Sequence, residues 1–146
     1  MRDLPRQLSR EELSELFEGD TALVRRLAGV ENPLGEARRV ARELTEAEKL
    51  EALNAHPAIG QRAGLSARSA AEQGADADPA TLEALARLNR EYEEHFGFRF
   101  VVFVNRRPKA EILDVLSKRI CRTREEELDT AVEELVAIAE DRWRHS

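Results

Sequence analysis

Cysteine occurs once, at Cys121, in this chain of 146 residues. One thiol forms neither an intramolecular disulfide framework nor a multi-cysteine zinc site. Cys121 also makes a poor nucleophile, since it follows the apolar stripe around Leu116 and Ile120. Histidine is scarce too, with His56, His95 and His145 alone, and His56 has no second His or Cys at ligand spacing, so no metal site is expected. No glycine-rich phosphate loop of the P-loop or dinucleotide type is present. Nothing approaches the roughly 18 consecutive apolar residues of a membrane span. Met1 to Pro5 lacks the apolar run of a signal peptide, and Arg144-His145-Ser146 differs from the Ser-Lys-Leu peroxisomal address. A cytoplasmic location with no membrane partner is therefore the expectation.

What is present is charge. The chain is 42% hydrophobic and 36% charged, and its 29 acidic against 23 basic residues give a net charge of −6. That sign opposes a broad nucleic-acid surface, which depends on neutralising phosphates. Of the basic residues only Lys49, Lys109 and Lys118 are lysines; the other 20 are arginines. Arginine suits bidentate carboxylate recognition and ion-pair networks, although a coding bias gives the same skew and is the simpler source. The length fits one domain over residues 1–146.

Start and stop signals divide the chain into short helices. Ser9 with Glu12, Thr45 with Glu48 and Thr123 with Glu126 are capping boxes. Asp20 is placed to cap a helix carrying Leu23, Val24 and Leu27, and Asn32-Pro33 breaks the chain before a helix from about Leu34 to Glu43. Pro57 stops the helix of Leu50 and Leu53, Gly60 to Gly64 reads as loop, and Ser66 opens a short helix to about Gln73, closed by Gly74. Asp78-Pro79 starts a helix with Leu82, Leu85, Leu88 and Tyr92 on one face, ended by Gly97. Pro108 starts another with Ile112, Leu113 and Leu116. The last helix runs through Leu128, Val132, Leu135, Ile138 and Trp143. Between Gly97 and Pro108 lies the one strongly β-prone run, Phe98 to Val104. With no strand to pair with, it reads as a buried extended segment near residues 98–104 rather than a sheet. The expected fold is all-α: a single-domain bundle of about seven to eight helices.

Three features could carry chemistry. His56 sits before Pro57 at a helix exit, on a corner that proline stiffens, although a histidine at a helix end is commonly only a cap. Ser69, Glu72 and Gln73 share a helix face and present a hydroxyl, a carboxylate and an amide together, an arrangement equally typical of a solvated polar face. Four of the five phenylalanines, Phe96, Phe98, Phe100 and Phe103, crowd around the extended run, where core packing accounts for part of them. Backbone N–H and C=O groups there need partners and suit a flat, amide-rich ligand. His95, at a helix C-terminus with Glu91 one turn earlier, reads as structural, and His145 as frayed.

In order, Asn54-Ala55-His56-Pro57-Ala58-Ile59-Gly60, then Ser69-x-x-Glu72-Gln73, then Leu88-Asn89-x-x-Tyr92-x-x-x-Phe96-Gly97-Phe98-x-Phe100 resemble the OHCU decarboxylase family. These enzymes decarboxylate 2-oxo-4-hydroxy-4-carboxy-5-ureidoimidazoline to (S)-allantoin in urate breakdown. The resemblance implies an all-α enzyme that needs no cofactor, acts on a small molecule and is commonly a homodimer. By position it implies His56 as the catalytic histidine; the chemistry of the reaction suggests His56 as acid–base residue and proton donor, with Glu72 orienting its ring and stabilising the imidazolium. Pro57, Ser69, Glu72 and Gln73 line the substrate site, the backbone of Phe100, Val101, Val102, Phe103 and Val104 contacts the ligand, and Arg142 reaches its negative charge. Arg99 stands where the family usually has proline, in Phe-Gly-Phe-Pro-Phe.

The chemistry agrees with the spare composition. Electrons released with CO2 pass into the C=N bond beside the reacting carbon, so the substrate is its own electron sink. Two alternatives compete: a decarboxylase of a related ureido or hydantoin acid, which Arg99 suggests, and a non-enzymatic helical dimeric interaction module in which His56 and Glu72 merely cap helices.

Overall fold

A computed structural model describes residues 3–57 and 78–145. The described residues form seven α-helices and no strand: α1 (Arg10–Leu16), α2 (Ala22–Leu27), α3 (Pro33–Glu43), α4 (Glu46–Asn54), α5 (Pro79–Phe96), α6 (Lys109–Arg119) and α7 (Arg124–Arg144). The loop expected at Gly60 to Gly64 and the helix expected from Ser66 to Gln73 lie outside the described residues.

Local chemistry sets most of the helix starts. All three capping boxes form: the hydroxyls of Ser9, Thr45 and Thr123 accept from the amides of Glu12, Glu48 and Glu126, whose carboxylates accept in return. Asp78 accepts from the Thr81 amide at 2.8 Å, with Pro79 as the first helical residue of α5. Gly97 ends that helix at φ +82°, a left-handed conformation open to glycine without strain.

The start of α2 differs from the expectation. Its cap is Thr21, whose hydroxyl accepts from the Val24 amide at 3.4 Å. Asp20 is drawn away by the guanidinium of Arg10, which binds both its carboxylate oxygens. The Ala22 amide gains a carboxylate from elsewhere in the chain, donating to Glu51 Oε1 at 2.7 Å. Charge pairing across ten residues thus outcompetes the local cap and shifts the helix start by one position.

The long helix α7 is the axis of the packing. Leu128, Ala131, Val132, Leu135, Val136, Ile138 and Ala139 are buried along it, and it packs against α1, α3 and α4. The α5–α6 pair packs alongside, with Leu85, Tyr92 and Phe96 of α5 facing the core. Leu82 and Leu88, expected on the same stripe, are half-buried. Arginines stitch helices together at the rim: Arg38 to Glu140 and Arg42 to Glu133 join α3 to α7, and Arg26 to Glu48 joins α2 to α4. Such exposed pairs contribute roughly 0–1 kcal/mol each. The arginine excess therefore has a structural use, whatever its origin.

Residues 98–104 form neither helix nor strand, are mostly buried, and are held by side chains. Phe98 and Phe100 are buried around Tyr92, with ring centroids 5.9 and 5.2 Å from it. Arg119, over the Phe100 ring, donates to the Val101 carbonyl at 2.9 Å. It also meets Glu127, which is fully buried and binds Arg122 and the Tyr92 hydroxyl as well. Burial and this hydrogen bond to a carboxylate push the Tyr92 phenol well above its ordinary range.

Candidate active site

Four chain segments meet at His56. The first is the end of α4, where the Ala55 and His56 amides donate to Glu51 and Leu53 carbonyls and turn the chain toward Pro57. This corner buries the imidazole: His56 is 4% exposed, and its Nε2 has no hydrogen-bond partner among the described residues. A buried polar atom without a partner costs about 1–3 kcal/mol unless something else satisfies it.

The turn after α1 is the second segment. Glu18 adopts φ +63°, a left-handed conformation that costs a non-glycine residue roughly 1–3 kcal/mol. Next to it, a Cβ on Gly19 would lie 3.3 Å from the Ala55 Cβ, so glycine lets this turn press against the His56 corner. The end of α7 supplies the third segment. Arg142 is 4% exposed; its Nη1 donates to the Leu16 carbonyl at 3.0 Å and its Nη2 lies 3.1 Å from Glu18 Oε1.

The fourth segment is the extended run. The Arg99 amide donates to Asn54 Oδ1 at 3.0 Å, and its Nη1 donates to the carbonyls of Asn54, at 3.4 Å, and His56.

These groups set the charge of the imidazole. Burial lowers the His56 pKa from 6.5 to about 4, helped by the Arg142 and Arg99 cations, while Glu18 pulls it back up. The resting imidazole is therefore neutral near pH 7, with one acceptor and one donor nitrogen. Burial and the two cations disfavour its protonated form, so it takes up a proton readily only where a negative charge offsets them.

Several sequence expectations can now be placed. His56, Pro57 and Arg142 fall within the described residues, and the structure brings His56 and Arg142 together. Arg142, expected to face substrate charge, is paired with Glu18. In the Phe100–Val104 segment, the Val101 carbonyl accepts from Arg119, the Phe103 and Val104 carbonyls accept from Arg107, and the Phe103 amide donates to Glu134. Internal side chains thus occupy several of the backbone groups expected to serve a ligand. Ser69, Glu72 and Gln73 lie outside the described residues. Glu18 was not anticipated; the only sequence signal for it is the neighbouring Gly19, which marks the turn.

The remaining histidines are distant in role. His95 is exposed and edges against Phe96, and His145, rather than fraying, contacts Asp141 through its carbonyl and carboxylate, each at 3.0 Å. Cys121 is exposed. Among the described residues no group of three or more His, Cys, Asp or Glu is arranged to hold a metal ion, and no helix is long and apolar enough to cross a membrane.

Residues 2–144 match the family model described as OHCU decarboxylase. A 2-oxo-4-hydroxy-4-carboxy-5-ureidoimidazoline decarboxylase from Haloferax volcanii is 33% identical over 107 residues, which is 70% of this chain and 64% of that protein. One from Halalkalicoccus jeotgali is 34% identical over 101 residues, 66% of this chain and 57% of that protein. The chain thus spans less than two thirds of the length of the curated relatives it matches. Among solved structures, an OHCU decarboxylase crystallised in the presence of (S)-allantoin superposes with a TM-score of 0.76 at 25% identity, covering 90% of this chain and 94% of that one. An (S)-allantoin synthase shares the fold, with a TM-score of 0.69 at 24% identity over 91% of this chain and 47% of that one.

Proposed function

The chain belongs to the OHCU decarboxylase family, and on that premise we propose that it decarboxylates 2-oxo-4-hydroxy-4-carboxy-5-ureidoimidazoline to (S)-allantoin in urate breakdown. The observation that carries this reading is the buried, neutral His56, whose Nε2 lacks a partner beside the Arg142–Glu18 pair.

The reaction needs a held carboxylate, a route for electrons and protons delivered to one face. As the bond to CO2 breaks, its electron pair forms a double bond between the two ring carbons and the adjacent C=N accepts the displaced pair. His56 takes the proton of the substrate hydroxyl as the carbonyl forms. It returns a proton to the ring carbon bearing the ureido group, and a second proton reaches the ring nitrogen from solvent. A neutral imidazole can accept in the first of these steps and, once protonated, donate in the second. Arg142 and Arg99 place positive potential at His56, and the charge of a bound anionic substrate would in turn favour protonated His56.

Ser69, Glu72 and Gln73 complete the site in this proposal, Glu72 orienting the imidazole and the others binding polar groups of the ring and ureido arm. Pro57 and the Phe100–Val104 segment form walls. No cofactor is needed, because the substrate carries its own electron sink. The resemblance further implies a homodimer, which sedimentation velocity tests; the cytoplasm remains the proposed location.

The experiment is to generate the substrate from urate with an oxidase and a hydrolase, then follow its disappearance with and without this protein. Acceleration in proportion to protein concentration supports the proposal. A decay rate equal to the uncatalysed one removes it.

A further inference from the structure

The backbone and the side chain of Arg99 both bind the segment that carries His56. Its amide holds the Asn54 side chain at 3.0 Å, and its guanidinium reaches the main-chain carbonyls of Asn54 and His56. From the other side Glu93, in the last turn of α5, lies 3.4 Å from Arg99 Nε. Arg99 thus ties the end of α4, the end of α5 and the extended segment into one joint. The joint is partly shielded, since the Arg99 side chain is 30% exposed.

Each contact has a physical reason to persist. The carbonyls at a helix C-terminus lack intrahelical donors, and that end attracts a cation. Pro57 follows His56 and has no N–H, so the turn offers no amide of its own at that position. One planar guanidinium with several donors reaches both carbonyls, which a single ammonium does less completely.

We propose that Arg99 is a positioning residue for His56: by clasping the Asn54 and His56 carbonyls it fixes the backbone from which the imidazole projects toward substrate. Its kinetic consequence rests on the decarboxylase reading, while the clasp itself does not. The charged groups acting on His56 among the described residues are Arg142 from α7, Glu18 from the turn after α1 and Arg99 itself. Removing Arg99 therefore withdraws a cation as well as a brace.

The test uses the full chain with Arg99→Ala, Arg99→Gln and Arg99→Lys, read by steady-state kinetics on freshly generated substrate and by NMR titration of the His56 ring. Arg99→Ala is expected to lower kcat about 10- to 100-fold with KM within about threefold, because loosened geometry penalises the reacting arrangement more than binding. Its His56 titrates at higher pH than in the parent. Arg99→Gln, which keeps donors without charge, shows the raised titration with a smaller loss of kcat, and Arg99→Lys keeps the charge and recovers part of the rate. If Arg99→Ala lowers thermal stability while leaving kcat and the His56 titration at parental values, the residue is only a helix cap and the proposal is overturned. Should the parent not accelerate substrate decay, the functional reading fails separately. The backbone then still decides: amide exchange over residues 54–56 equal to the parent's in Arg99→Ala overturns the clasp, and faster exchange in Arg99→Ala that Arg99→Gln largely restores supports it.

Discussion

Arg142 Nη2 lies 3.1 Å from the carboxylate of Glu18, and both side chains act on the buried imidazole of His56 with opposite sign. Neither partner is near the other in sequence. Glu18 reaches this position only by adopting a left-handed backbone beside Gly19. The pair lets a buried arginine sit next to a neutral histidine without leaving its charge uncompensated.

Glu18→Gln removes one negative charge beside the buried Arg142. The Arg142 side chain is 2% exposed, so weakening this ion pair is expected to lower Tm. His56 then titrates at still lower pH, since the group that pulls its pKa up is gone. Thermal melts and an NMR titration of the variant check both effects; unchanged melting and titration contradict the pairing.

Stability should depend on pH through His56. Its folded pKa is depressed to about 4 from 6.5, so the unfolded chain binds the proton first as pH falls. The contribution is complete above pH 6.5 and is lost progressively down to about pH 4, amounting to about 3 kcal/mol. His56→Gln should flatten this part of the curve relative to the parent in denaturant titrations at pH 4 to 6.5. Parallel curves for the two proteins would count against a buried neutral imidazole.

At the start of α2, Thr21→Ala should cost about 1 kcal/mol by removing the cap. Asp20→Ala removes pairs with Arg10 and Arg25 whose side chains are about half exposed, and should cost less than Thr21→Ala. The reverse ranking in urea unfolding would restore Asp20 as the cap.

Glu127→Leu leaves Arg119 and Arg122 without their shared carboxylate, and Tyr92 without its acceptor. A loss of roughly 3–5 kcal/mol is expected. Because Arg119 also holds the Val101 carbonyl, the extended segment should lose amide-exchange protection at the same time. Protection equal to the parent's would separate the segment from this network.

The parts of the fold legible in the sequence are those set by neighbours three or four residues apart. The Ser9, Thr45 and Thr123 boxes, the Asp78-Pro79 start and the Gly97 stop are all of this kind. Asp20 was misleading because Arg10, ten residues away, competes for its carboxylate. That residues 98–104 form no sheet was legible from the β-prone run and its missing partner strand, yet the arginines that satisfy its carbonyls were not. At the site, His56 stood out through its motif. Glu18 did not, because its position depends on one backbone dihedral and a contact with Arg142 at the far end of the chain.

The central claim is that His56 relays the proton that fixes the product's handedness. In free solution the decarboxylated intermediate is flat at the reacting carbon, so solvent protonates both faces equally. The direct measurement is the circular dichroism of allantoin formed from fresh substrate in the presence of the parent protein and of His56→Ala. The account predicts a single enantiomer with the parent, and racemic product at the uncatalysed rate with His56→Ala. A His56→Ala variant that delivers one enantiomer at the parental rate would contradict it.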